Sequence, residues 1–97
     1  MKLVPVPAQL NEFALRSTKY FGVDPRTKSA RRRVVSARMM FVNFLIRNQG
    51  MTNALVCELL NLKHSLVMYY LDRHEVLIES DAVYRDTYIS YKSFLFN

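Results

Sequence analysis

Apolar residues recur at helical spacing along most of the chain. Leu10, Phe13, Ala14 and Phe21, with Ser17 among them, mark one stripe, and Val34, Ala37, Phe41, Phe44 and Leu45 mark a second. Gly22 stands where a helix end favours a left-handed residue, and Asp24-Pro25 then turns the chain. Residues 26–33 carry no apolar stripe and read as a loop with some helical character. Gln49-Gly50 closes the second helix, and Thr52 predicts the N-cap of a third that runs to Leu60. A three-residue break precedes a long helix from about His64 to Ile78. Ser80-Asp81 offers a cap for a last helix bearing Val83, Tyr84, Thr87, Tyr88, Tyr91 and Leu95. The expectation is an all-α bundle of five helices, one domain over residues 1–97.

The stretch from Val56 to Tyr70 has the side chains that a tight corner between two helices requires. Val56 and Leu60 share a face of the first helix, Leu62 plugs the wedge, and Val67 and Tyr70 return the second helix to the same core. Cys57 is expected at the closest approach, buried and unreactive, where a small side chain fits. Asn61 falls where the turn needs a positive φ, which asparagine tolerates best after glycine. This predicts a helix-turn-helix between Thr52 and Ile78. Lys63, His64, Ser65, Met68 and Tyr69 are left pointing away from the core, on the part of the second helix that enters a DNA major groove in such motifs.

Charge sharpens the picture. The net charge of +6 divides into +8 over residues 1–50 and −2 over residues 51–97. Arg26, Lys28, Arg31, Arg32, Arg33 and Arg38 fall within thirteen residues that hold no acid. Such a field suits a polyanion, although basic tracts also bind membranes and acidic proteins. Half the chain is apolar (51%), so composition excludes a disordered tail. No apolar run approaches the roughly 18 residues of a membrane span. A single cysteine allows no internal disulfide, and Met1-Lys2-Leu3-Val4-Pro5 lacks the apolar core of a signal peptide. A cytoplasmic location is the default expectation.

Tyr20-Phe21-Gly22-Val23, the basic loop of residues 26–33, Val34-Val35-Ser36-Ala37-Arg38-Met39-Met40 and Lys63-His64-Ser65-Leu66-Val67 occur in a telling order. In that order and spacing, over roughly residues 10–95, the chain resembles the C-terminal DNA-binding domain of the bacterial replication initiator DnaA. That domain belongs to the Trp-repressor-like helix-turn-helix group. The resemblance implies that His64 and Ser65 read base edges, that Arg38 stands at the family's arginine after the loop, and that Arg31, Arg32 and Arg33 follow phosphates or enter the minor groove. The chain departs from the family at Lys63, where an aspartate is usual, at Leu66, where a threonine is usual, and at Tyr70, where a small residue closes the signature. It contains no Gly-x-x-x-x-Gly-Lys loop, so the initiator's ATPase has no counterpart here.

Catalytic and metal chemistry find little footing. Cys57 is one thiol beside two histidines read as exposed, and His64 and His74 stand ten residues apart rather than three or four. No cofactor is expected, and Asp72, Glu75 and Glu79 read as a solvated acidic face with Arg73 as a helical neighbour. Tyr84, Tyr88, Tyr91 and Phe94-Leu95-Phe96 are chiefly core by spacing, yet a small domain can leave part of such a set uncovered for a partner or a second copy. The function expected is therefore non-enzymatic binding of double-stranded DNA, through Arg31, Arg32, Arg33, Arg38, Lys63, His64, Ser65, Met68 and Tyr69. The alternative is a helical adaptor for an acidic protein. Single-stranded RNA binding is a third, weaker reading.

Overall fold

The computed structural model describes residues 7–96, which form five helices and no strand. The Met1–Pro5 start discussed above lies outside them. Helix α1 spans Pro7–Phe21 and α2 spans Arg32–Asn43, continuing into a π-helical turn at Phe44–Asn48. Helix α3 spans Asn53–Leu60, α4 His64–Ser80 and α5 Ala82–Phe96.

Helix α2 is the centre of the bundle, packed against α4 and α1, while α5 closes the far side against α4 and α1. Residues 37–45 are buried without a gap, so α2 has no solvent face there. Met39, Met40 and Val42 therefore join the expected stripe, because a helix surrounded by others buries apolar residues on every side. The π turn belongs to this central position. It widens the helix as Phe44 and Leu45 both enter the core, and Gln49 N–H donates to the Phe44 carbonyl. Asn43, fully buried, is satisfied: its amide donates to the Met39 and Tyr70 carbonyls, and its Oδ1 accepts from Arg47 Nε at 2.8 Å.

Helix ends follow their local chemistry. Gly22 closes α1 at φ 76°, and its amide donates to the Thr18 carbonyl. Thr52 caps α3 by accepting from Leu55 N–H at 3.1 Å. Asn61 ends α3 in the left-handed region, φ 52° and ψ 53°. Asp81 ends α4 and starts α5, its carboxylate accepting from Tyr84 N–H at 3.1 Å. Residues 22–31 are irregular and regular helix begins at Arg32, so the helical character expected in residues 26–33 is confined to Arg32 and Arg33. No charge-free apolar repeat starts before Val34, and nothing in the loop would give a helix a face to bury.

The C-terminal aromatics are mostly internal. Tyr84, Tyr88, Tyr91 and Leu95 are buried, and the Tyr91 hydroxyl shares a 2.7 Å hydrogen bond with Ser17 of α1. Val83, Ile89 and Phe96 remain exposed along α5. No described helix is long and apolar enough to cross a membrane.

Candidate nucleic-acid interface

The corner between α3 and α4 buries Val56, Leu60, Val67 and Tyr70 together, with Leu62 half-buried beside them. Because these positions face inward, the opposite side of α4's first two turns faces solvent. Lys63, His64, Ser65, Met68 and Tyr69 are all exposed there, Met68 at 38% and Tyr69 at 55%. Two walls flank this stripe. On one side is α3, where Cys57 Sγ lies 4.0 Å from His64 Nδ1 and Asn53 Nδ2 donates to Met68 Sδ at 3.3 Å. On the other side is the basic loop. An open groove of about 580 Å³ separates it from α4, bordered by Lys28, Ser29, Ala30, Lys63, Leu66 and Tyr69.

The loop is fastened to the corner rather than hanging from it. Lys28 Nζ donates to the Leu60 and Asn61 carbonyls at 2.9 and 2.7 Å, satisfying the C-terminal end of α3. Arg26 is drawn back to Asp24, whose carboxylate accepts from its Nε at 3.1 Å and its Nη2 at 3.0 Å. The Arg26 guanidinium holds the Asp24 carboxyl below its usual range. Both residues thus act inside the fold, a role that charge counting did not reveal.

Arg38 corrects the sequence-based expectation most clearly. It is only 7% exposed, so it is not a free phosphate contact. Its guanidinium donates to the Tyr70 hydroxyl at 3.0 Å and to the Thr27 and Ser29 carbonyls at 2.5 and 2.9 Å. It ties loop to corner. Arg33 is exposed, but its Nη2 donates to the Phe21 carbonyl at 2.9 Å and folds over Gly22, capping α1. Arg32 and Arg33 border a separate groove with Asp81 and Val83 at the start of α5, so the three consecutive arginines do not form one patch with α4. Among the described residues, the side chains of Arg31, Arg32 and Lys63 make no ion pair or hydrogen bond.

Two further expectations change. His74 is 4% exposed rather than solvated, with Nδ1 2.6 Å from the Tyr84 hydroxyl. Position 74 continues the inward stripe of Val67 and Tyr70 by one more turn, and that signal was present in the spacing. Cys57 is half-buried and free, because the corner packs through Val56 and Leu60 and leaves the thiol at the edge of that face. Native protein should therefore take up a maleimide at Cys57 without denaturant. Protection until the unfolding transition would restore the closed packing.

No protein-family model, curated protein or solved structure matches the chain.

Proposed function

We propose that the chain is a double-stranded DNA-binding module in which α3 and α4 form a helix-turn-helix and α4 is the recognition helix. The observation that carries this reading is the fastening of the basic loop beside the first turns of α4, through Lys28 on the α3 carbonyls. A positive segment held next to an exposed polar helix start supplies the two parts of duplex recognition, gripping and reading. Acids on α4 begin only at Asp72, so its first two turns oppose no phosphate. The likeness to the DnaA domain agrees with this assignment. Arg31 and Lys63 grip beside α4 and Arg32 grips from the neighbouring groove, none having a side-chain partner among the described residues, while His64 and Ser65 read base edges, flanked by Met68 and Tyr69.

Titration of labelled duplex against salt tests the gripping. Each phosphate contact removed by Arg31→Ala, Arg32→Ala or Lys63→Ala should flatten the log–log slope by about 0.9, equally for every sequence. Arg33→Ala should change the slope less, because its guanidinium is engaged with Phe21. Reading is tested separately, with a duplex selected from a random pool. His64→Ala and Ser65→Ala should each cost about 1–3 kcal/mol on that duplex and spare random DNA. Slopes that stay put in the Arg31, Arg32 and Lys63 variants would overturn the gripping role. A full specificity ratio in both α4 variants would sink the reading role.

A second reading, a protein adaptor, draws on the exposed Val83, Ile89 and Phe96 of α5. It predicts no duplex shift at any salt, and loss of a protein complex on Ile89→Asp.

A further inference from the structure

We propose that Cys57, His64 and Met68 form a binding site for a soft monovalent metal ion, of the copper(I) class, across the corner between α3 and α4. This inference does not rest on the nucleic-acid reading.

The corner sets two pairs of side chains against each other. Helix α3 carries Asn53 and Cys57 one turn apart, and α4 carries His64 and Met68 one turn apart. Cys57 meets His64, with Sγ and Nδ1 4.0 Å apart, and Asn53 meets Met68 at 3.3 Å. A thiol, an imidazole and a thioether therefore lie along one face. With bonds as long as those of zinc, about 2.3 Å to sulfur and 2.0–2.1 Å to nitrogen, two ligands on one ion stand roughly 3.5–4 Å apart. Cys57 and His64 already have that separation. Met68, one turn along α4 from His64, is the third donor in the proposal: its flexible side chain would turn to the ion and give up one weak bond from the Asn53 amide.

The donor set selects the ion. Thiolate and thioether favour soft metals. A structural zinc ion takes four ligands, and among the described residues no group of three His, Cys, Asp or Glu gathers anywhere. His64 and Met68 are exposed and Cys57 is half-exposed, so an ion enters from solvent. On binding, the Cys57 thiol releases its proton to water, and the thiolate neutralises the single positive charge of the ion. A neutral complex suits a protein whose net charge is already +6.

The test is anaerobic competition for copper(I) between the whole protein and a chromophoric chelator, with melting curves on loaded and unloaded samples. The expected result is one ion per chain and a raised melting temperature. Cys57→Ser should abolish binding. His64→Ala and Met68→Leu should each weaken it by more than about tenfold, the loss that removing even an outer partner of a metal ligand brings. None of the three side chains is in the buried core, and circular dichroism checks that each variant keeps its helices. Three outcomes would overturn the proposal: no equimolar complex, wild-type affinity in the His64 and Met68 variants (a lone thiol), or zinc(II) retained as tightly as copper(I).

Discussion

Lowering the pH from 7 to 4 is expected to strip roughly 3 kcal/mol from the fold through His74 alone. The imidazole is buried between α4 and α5, edge-on to Tyr88 with ring centres 4.4 Å apart, and its Nδ1 lies 2.6 Å from the Tyr84 hydroxyl. Burial pushes the His74 pKa down to about 4, and the positive charges of Arg47 and Lys92 push the same way against Glu75. Burial raises the Tyr84 pKa, so its hydroxyl keeps its proton and shares a hydrogen bond with Nδ1 of the neutral imidazole. The folded pKa lies below the unfolded value of 6.5, so between pH 6.5 and 4 the unfolded chain binds the proton and the folded chain does not. Stability therefore falls as pH drops through that window, and the loss is complete below about pH 4.

Urea melts at steps from pH 7 to 4 measure the effect. Asp24, lowered from 3.8 by Arg26, loses its contribution only as the pH falls below that window. His74→Phe keeps a ring against Tyr88 and should flatten the profile between pH 6.5 and 4.5, whatever its stability at pH 7. A flat wild-type profile there would mean that the histidine protonates in place, with water reaching it.

What could be read from the chain was local. Thr52 and Asn61 each act through their own backbone neighbours, so the cap and the left-handed turn of the α3–α4 corner were visible without knowing what surrounds them. Val56, Leu60, Val67 and Tyr70 needed only the helical period. The errors came where tertiary position overrides residue type. Arg38 stands four residues after Val34 and three before Phe41, squarely on an inward stripe, yet its charge and its place at the end of a basic run argued for solvent. His74 repeats this on α4. In both, spacing was a better guide than polarity, because a polar group with hydrogen-bond partners can occupy a core position. The partners themselves could not be read. Lys28 caps a helix more than thirty residues away, and Arg33 caps the helix before it. A charge count treats six cations as one field, whereas folding commits four of them internally and leaves the side chains of Arg31 and Arg32 without partners among the described residues.

Arg38→Met should cost about 2–4 kcal/mol of stability and loosen the loop that it holds. Its planar fork reaches three acceptors on two elements, the Tyr70 hydroxyl of α4 and the Thr27 and Ser29 carbonyls of the loop. Methionine fills a similar path but donates nothing, and hydrogen bonds from a charged donor contribute roughly 1.5–3 kcal/mol each. Part of that loss is recovered. Among the described residues Arg38 makes no ion pair with a carboxylate and its buried Nε has no partner, so its removal also relieves a desolvated cation. The net effect stays unfavourable, because the loop carbonyls lose their tether to the corner. Hydrogen exchange should then quicken over residues 27–31, with melting at lower temperature. Duplex binding distinguishes bracing from gripping. As a brace, Arg38 makes no phosphate contact, so Arg38→Met should weaken binding through loop disorder while each remaining contact keeps its share of the salt slope. A variant that melts like the wild type but loses about 0.9 of slope would return Arg38 to the phosphate-contacting set and remove it from the core.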